Sequence, residues 1–340
     1  MHSLFKKYVR AALEFIDKWY VLHNIHHVHG SRPSTGAAEE FTVVSLVKNV
    51  ECFLDEFVLY YQMLGARHIY LIDNGSSDNT IEVSKRYDNV TLYSTSLDFS
   101  SFESRIRRYF ITQFFSLSWV LCVDADEHFD FPCSSKLTML DFIAYLNEHD
   151  YTAVTACMLD MFPREQYEKL PDESFSAVYK YVDISEIRKE AYPTDWYCSR
   201  GNKIPEGVIS YSGGIRKKIT DASNNYLLIK HPLIYVANDV VPFTHPHYSA
   251  NISVADVTCV LLHYKFVMGF EDRMKQIASD KRTHYDWALE NEACIKSISI
   301  SSDGNIFFSE NAIEYQSVED LSEKGLLFIS TRYHHWCCKE

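Results

Sequence analysis

Four short apolar runs, separated by stretches of helical periodicity, constrain the fold of this chain more than any other feature. Phe41 to Val47, His68 to Ile72, Val90 to Tyr93 and Trp119 to Val123 are each long enough for a buried strand and too short for an ordinary helix. Between them the sequence predicts a helix over Glu51–Leu64, with Gly65 as a natural stop, and another over Ser101–Phe115. A shorter one follows Asp78, whose side chain can cap it. Strand and helix alternating in this way call for an α/β fold, a mostly parallel central sheet with helices on both faces. The loops leaving Val47, Ile72 and Val123 then share one rim, where open α/β sheets bind ligands.

Those three loops are polar and acidic. They read Lys48-Asn49-Val50-Glu51, then Asp73-Asn74-Gly75-Ser76-Ser77-Asp78-Asn79-Thr80, then Asp124-Ala125-Asp126-Glu127. In an extended chain residues i and i+2 point to one side, so Asp124 and Asp126 present two carboxylates together. Two carboxylates this close repel, and a hard divalent cation, Mg²⁺ or Mn²⁺, is the usual compensation, its shell completed by water and substrate phosphates. Taken alone, the same short pattern is more often that of a solvated turn, and Asp130 beyond it reads as a solvated loop residue.

At 340 residues the chain has ample core for one large domain or two small ones. A formal charge of −13 argues against nucleic acid as a partner, while leaving room for a phosphate-bearing small molecule in a locally positive pocket. Nine cysteines, odd in number and without CxxC pairs, suggest a reducing compartment over a disulfide framework. No run approaches the roughly 18 apolar residues of a membrane span, and Glu14, Asp17 and Lys18 break up any signal-peptide core. The expected location is cytoplasmic.

Residues 1–28 read as a helix, from the spacing of Leu4, Phe5, Tyr8, Ala12, Phe15, Ile16 and Trp19. Lys6, Lys7, Arg10 and Lys18 admit peripheral contact with an anionic membrane, at the inner face of which the protein would then sit. Glu14 and Asp17 favour instead a helix packed on the main domain or on a second copy. His23, His26, His27 and His29 have the composition of a metal site, but lead into Gly30–Gly36 and read as a solvated linker. Three segments follow: helix and linker over 1–36, a main domain over 37–300 divided near residue 160, and a C-terminal extension over 301–340.

The second half of that domain is less regular. Leu137–Asn147 reads as a helix and Tyr151–Leu159 as a strand, and residues 160–205 as long loops. Ser212–Lys218 joins Gly213 and Gly214 to three cations, and Leu227–Val236 carries Lys230 and His231. Thr258–Val267 reads as a strand broken by His263 and Lys265, with two helices after it to about Ile295. His245-Pro246-His247 reads as loop, and Tyr333–Cys338, with Cys337 and Cys338, as a frayed tail.

In this order, Lys48 to Glu51, Asp73 to Thr80, Asp124 to Glu127, Gly213 to Arg216 and Leu261 to Phe266 resemble a family 2-type glycosyltransferase of the GT-A fold. More narrowly, they are similar to the bacterial branch with KNE, DNxSxDxT, DADE, GGxR and LLHFKF motifs. The resemblance covers roughly residues 41–290. It departs from the commonest pattern at Asn74, where many members have a second aspartate, and at Val50, which loosens the first motif by one residue. It supplies no Glu-Asp acceptor-side motif, so the catalytic base stays unassigned.

The resemblance implies that Asp73 hydrogen-bonds the nucleotide base, Asp124 the ribose or the metal, and Asp126 the metal. A late histidine completes the metal shell in many GT-A enzymes, which points to His263; the alternative is a satisfied core histidine. Lys265, two residues on along a strand, would meet the diphosphate. Gly213 and Gly214 would let backbone approach the substrate, with Arg216 on a phosphate or the acceptor; the alternative is a hairpin turn with a solvated basic end. Arg105 and Arg108 are weaker phosphate candidates. The implied function is metal-dependent transfer of a sugar from a nucleotide-sugar donor to a glycan or lipid-linked acceptor, in cell-surface polysaccharide assembly. A sugar-phosphate nucleotidyltransferase and a non-catalytic glycan-binding domain are the alternatives. The first usually carries a glycine- and base-rich loop that Val47-Lys48-Asn49-Val50 lacks; the paired aspartates argue against the second.

Overall fold

The computed structural model describes residues 2–33, 37–164, 174–220, 226–267, 269–279, 292, 293, 296 and 307–338. The chain opens with α1 (His2–His23) and β1 (Ile25–His29), then alternates through β2 (Phe41–Val47), α2 (Glu51–Met63), β3 (Ile69–Asp73), α3 (Thr80–Ser84), β4 (Val90–Thr95), α4 (Phe99–Phe114) and β5 (Trp119–Cys122). The predicted strands are present because their runs are apolar throughout: every residue of β2, β3 and β5 is buried, as a strand covered on both faces requires. Asp98 caps α4 by accepting from the Ser101 N–H.

Then follow β6 (Glu127–Asp130), α5 (Met139–Glu148), β7 (Ala153–Asp160), α6 (Phe175–Val178), β8 (Tyr181–Asp183), β9 (Ile187–Glu190), β10 (Ser210–Gly213), α7 (Ile215–Thr220), β11 (Ile229–Lys230), β12 (Leu233–Tyr235), β13 (Val241–His245), β14 (Tyr248–Ala250), β15 (Val254–His263) and α8 (Phe270–Ser279). A last strand, β16 (Ala312–Glu314), precedes helices over Val318–Glu323 and Thr331–Cys337. Thr138 and Asp141 form a reciprocal capping box at the start of α5.

The main sheet runs β1-β4-β3-β2-β5-β12-β7-β15-β6, with β11 beside β7. Pairs β4-β3, β3-β2, β2-β5 and β7-β15 are parallel. β12 is antiparallel to both β5 and β7, so those two strands run the same way. The C-terminal ends of β2, β3, β5, β7 and β15 therefore share one rim. The fold is α/β, a large mixed sheet with mostly parallel central strands. From β2 the order runs to β3 and β4 on one side and to β5 on the other, so the crevice beyond β2 and β5 is a topological switch point.

Several expectations are corrected. The histidine-rich stretch is no linker: β1 pairs antiparallel with β4, Ile25 opposite Thr95. Asp130 is no solvated loop residue: it ends β6, half-buried, and accepts from the Tyr315 hydroxyl at 2.6 Å. β15 lies four residues earlier than expected, which leaves Lys265 in a turn beyond its end. The expected loops of 160–205 contain β8 and β9, while residues 165–173 lie outside the described residues. The first helix expected before Ile295 is α8; most of the second lies outside them too.

The last segment is no frayed tail. Tyr333 is fully buried, and its hydroxyl donates to the Pro132 carbonyl oxygen at 2.7 Å. Cys337 beside it is joined by a disulfide to Cys133, where the cysteine pattern suggests free thiols. Val318, Leu321 and Tyr333 belong to the same core cluster as β2, β5, β7 and β15.

Candidate functional site

The rim loops after β2 and β3 are clamped to each other. Asn49 takes a positive φ of 54°, its N–H donates to Ser76 Oγ at 2.8 Å, and its side-chain oxygen accepts from the Ser77 N–H at 2.7 Å. Asp78 accepts from the Glu51 N–H, and Glu51 accepts from the Asn79 side-chain amide. These side chains build the rim. Asp73, buried at the end of β3, accepts from the N–H groups of Gly75 and Ser76 at 3.0 and 3.1 Å. A carboxylate has about four lone-pair sites, so acceptor capacity remains beyond its own turn.

The β5–β6 turn is the centre of the rim. Glu127 N–H closes it onto the Asp124 carbonyl oxygen at 3.1 Å, and the Glu127 carboxylate accepts from the Asp124 N–H at 3.0 Å. Asp124 Oδ1 accepts from Arg107 Nη2 at 2.6 Å and Oδ2 from Lys230 Nζ at 2.7 Å. Lys230 also reaches Glu127 Oε1 at 2.5 Å, and Arg107 pairs with Glu103 one helical turn back at 2.9 Å. Burial would raise the Asp124 carboxyl, but the Lys230 and Arg107 charges outweigh it and hold it well below the usual carboxylate range. Burial pushes Glu127 up, with Lys230 opposing it. The charge compensation expected from a divalent cation is thus supplied, at Asp124, by two cations of the chain itself.

Asp126 differs. His263 is its one ion-pair partner among the described residues, with Nε2 at 3.4 Å from Oδ2. The other ring nitrogen, Nδ1, lies 2.5 Å from Asp160 Oδ1. The parallel register of β7 and β15 sets this geometry by placing His263 opposite Asp160, and the antiparallel register of β6 places it opposite Glu127. Asp160 Oδ2 in turn accepts from Arg216 Nε at 2.8 Å. Burial would lower the His263 pKa, but Asp126 and Asp160 raise it to about 9. The Asp126 carboxyl, which burial would raise, is lowered by His263. The two carboxylates therefore favour a positive charge at this place, whether a proton on the ring or a metal ion.

This donor set fits a hard divalent cation. Asp126 and His263 Nε2 face each other without a short hydrogen bond, and Asp160 anchors the far nitrogen, as a carboxylate commonly does behind a metal-ligating histidine. No group of three or more His, Cys, Asp or Glu side chains converges as a ready metal cage among the described residues.

The remaining candidates fall as follows. Arg216 is buried and bonded to Asp160, so its bond is to the histidine's support. Gly213 and Gly214 both take positive φ, 91° and 74°; a Cβ on Gly213 would lie 2.5 Å from the Glu186 carbonyl oxygen. Their close approach is to the chain's own backbone and to Leu228. Lys265, half-buried beyond β15, contributes to lowering the Asp160 carboxyl. Arg105 is bonded to Asp17 on α1, and Arg108 to the Phe243 carbonyl oxygen. Arg107, between them, is the arginine of α4 that enters the site; its i, i+4 spacing from Glu103 is the only signal the sequence offers. His245 and His247 lie in the β13–β14 hairpin, where His247 Nδ1 lies 3.0 Å from the Ile229 carbonyl oxygen. Lys230, Asp160 and Arg107 are the site residues that sequence reasoning missed. Compared with known families and curated proteins, the chain matches no family model and no curated sequence.

Proposed function

We propose that this protein is a divalent-metal-dependent glycosyltransferase of GT-A type, moving a sugar from a nucleotide-sugar donor to a glycan or lipid-linked acceptor. The observation that carries this is the convergence of Asp73, Asp124, Asp126 and His263 at one rim, with Asp160 behind the histidine. Such a transferase must hold a nucleoside diphosphate and stabilise the charge that develops on it as it leaves. Mn²⁺ or Mg²⁺ held by Asp126 and His263 supplies that stabilisation when bound.

The chain's own residues do the rest. Arg107 and Lys230 keep Asp124 ionised and fixed, a preorganised acceptor for a ribose hydroxyl. Asp73, with acceptor capacity left over from its turn, suits the N–H edge of a base. Lys265, in the turn beyond β15 and lowering the Asp160 carboxyl with its charge, suits a phosphate oxygen. Arg216 acts through Asp160, fixing the ring of His263. Assembly of cell-surface glycans at the cytoplasmic face is the setting that the family resemblance suggests. The test is a panel of nucleotide-sugars incubated with the purified protein and Mn²⁺. Release of nucleoside diphosphate from at least one donor, abolished by EDTA, is expected. Pyrophosphate exchange without diphosphate release would replace the proposal with nucleotidyl transfer, and binding without turnover would replace it with a glycan-binding domain.

A further inference from the structure

We propose that α1 is an interfacial helix that docks this protein on an anionic lipid bilayer. The helix sits on the body of the protein by the edge opposite its apolar face. Asp17 Oδ1 pairs with Arg105 Nη1 at 2.8 Å, and Asp17 Oδ2 accepts from the Tyr109 hydroxyl at 2.8 Å. Val21 on the same side is fully buried, and Tyr20 meets the Phe102 ring at a centroid distance of 5.9 Å. The side chains at Tyr8, Ala12, Phe15, Ile16 and Trp19 recur at three- and four-residue spacing on the other side. The four large ones are 58–71% exposed, and Leu13 at their border 61%. An amphipathic helix ordinarily turns this face to the core. Here it is turned outward, on a 22-residue helix about 33 Å long.

Charge decides between the occupants such a face would fit. The sequence puts Lys6, Lys7, Arg10 and Lys18 on α1 against Glu14 and Asp17, and Asp17 is already engaged by Arg105. This basic helix belongs to a chain of formal charge −13. A helix of net positive charge that turns an apolar face outward is complementary to anionic headgroups over acyl chains. A symmetric pairing of two copies through this face would bring together two helices of the same net positive sign. Trp19 and Tyr8 also suit the boundary between headgroups and acyl chains. Among the described residues no helix is long and apolar enough to cross a membrane.

The experiment is flotation of the full chain with vesicles of phosphatidylcholine alone, or with about 30% phosphatidylglycerol added, beside light scattering of the chain in solution. The chain is expected to float with the anionic vesicles, poorly with the neutral ones, and less in about 0.5 M salt. Phe15→Ser with Trp19→Ser, both at exposed positions, should leave the melting temperature unchanged and cut partition into anionic vesicles at least roughly tenfold. A chain that floats with neither vesicle, or equally well after both substitutions, overturns the proposal. So does a dimer in solution that the double substitution separates, with no vesicle binding by either form.

Discussion

Replacing Lys230 by methionine keeps the length of the side chain and removes the one charge that Asp124 and Glu127 share. Its Nζ lies 2.7 Å from the first and 2.5 Å from the second. Asp124 retains Arg107 at 2.6 Å, and a third of its side chain is open to solvent. Glu127 is fully buried, and Lys230 is its one ion-pair partner among the described residues. Deleting one member of a buried pair costs about 3–5 kcal/mol, because the other charge is left uncompensated. At roughly 2–4 °C per kcal/mol for a domain of this size, Lys230→Met should lower the melting temperature by roughly 6–20 °C. Adding Glu127→Gln removes the stranded charge. It also keeps an oxygen for the Asp124 N–H and turns an amide donor toward Asp124, so the double variant should recover at least about half of the loss. Thermal and urea unfolding followed by circular dichroism read both numbers. A single variant within about 1 kcal/mol of the parent, or a double variant in which two penalties simply add, would show that Lys230 is not the shared counter-charge.

Asp160→Asn should weaken Mn²⁺ binding about 10–100-fold, since the His263 ring loses the carboxylate that fixes it; titration of free Mn²⁺ by electron paramagnetic resonance measures this, and an unchanged affinity would count against the assignment. His231 is buried, its Nδ1 accepts from the Ser249 N–H, its Nε2 meets the Tyr192 hydroxyl, and burial lowers its pKa to about 3. The folded value lies below the unfolded one, so the stability this group contributes is whole above pH 6.5 and is lost progressively as pH falls toward 3. That loss is about 1.4 kcal/mol between pH 7.5 and pH 5.5. Urea melts at the two values should show a correspondingly smaller decline in His231→Asn; identical declines would mean that His231 takes up its proton in the folded protein.

The first half of the fold was legible because its signals are local. β2, β3 and β5 are apolar runs closed by turn residues, and parallel pairing alone puts their acidic ends on one rim. What the sequence hid is long-range. Lys230 meets Asp124 across 106 residues, and nothing near either residue announces the other. Asp160 finds His263 across 103 residues only because β7 and β15 lie parallel in that register. Arg105, Arg107 and Arg108 are indistinguishable by composition; the helix phase sends the first toward α1 and the second into the site. Four-residue β6 is too short and too charged to read as a strand, and its pairing with β15 makes it one. The C-terminal helix looks like a polar tail until the space for Tyr333 and the Cys133–Cys337 bond are in view.

Asp126→Asn keeps the volume of the side chain and removes one negative charge from the proposed metal site, while His263 remains held by Asp160. Diphosphate release at saturating Mn²⁺, measured beside the melting temperature, separates a catalytic contact from a structural one. The expected result is turnover about 10²–10³ slower with only a modest fall in melting temperature, because the contact acts on charge that develops as the diphosphate leaves while His263 keeps Asp160 as its counter-charge. Near-normal turnover in Asp126→Asn would contradict the account and leave the Asp124–Glu127 stretch an ordinary turn between two strands.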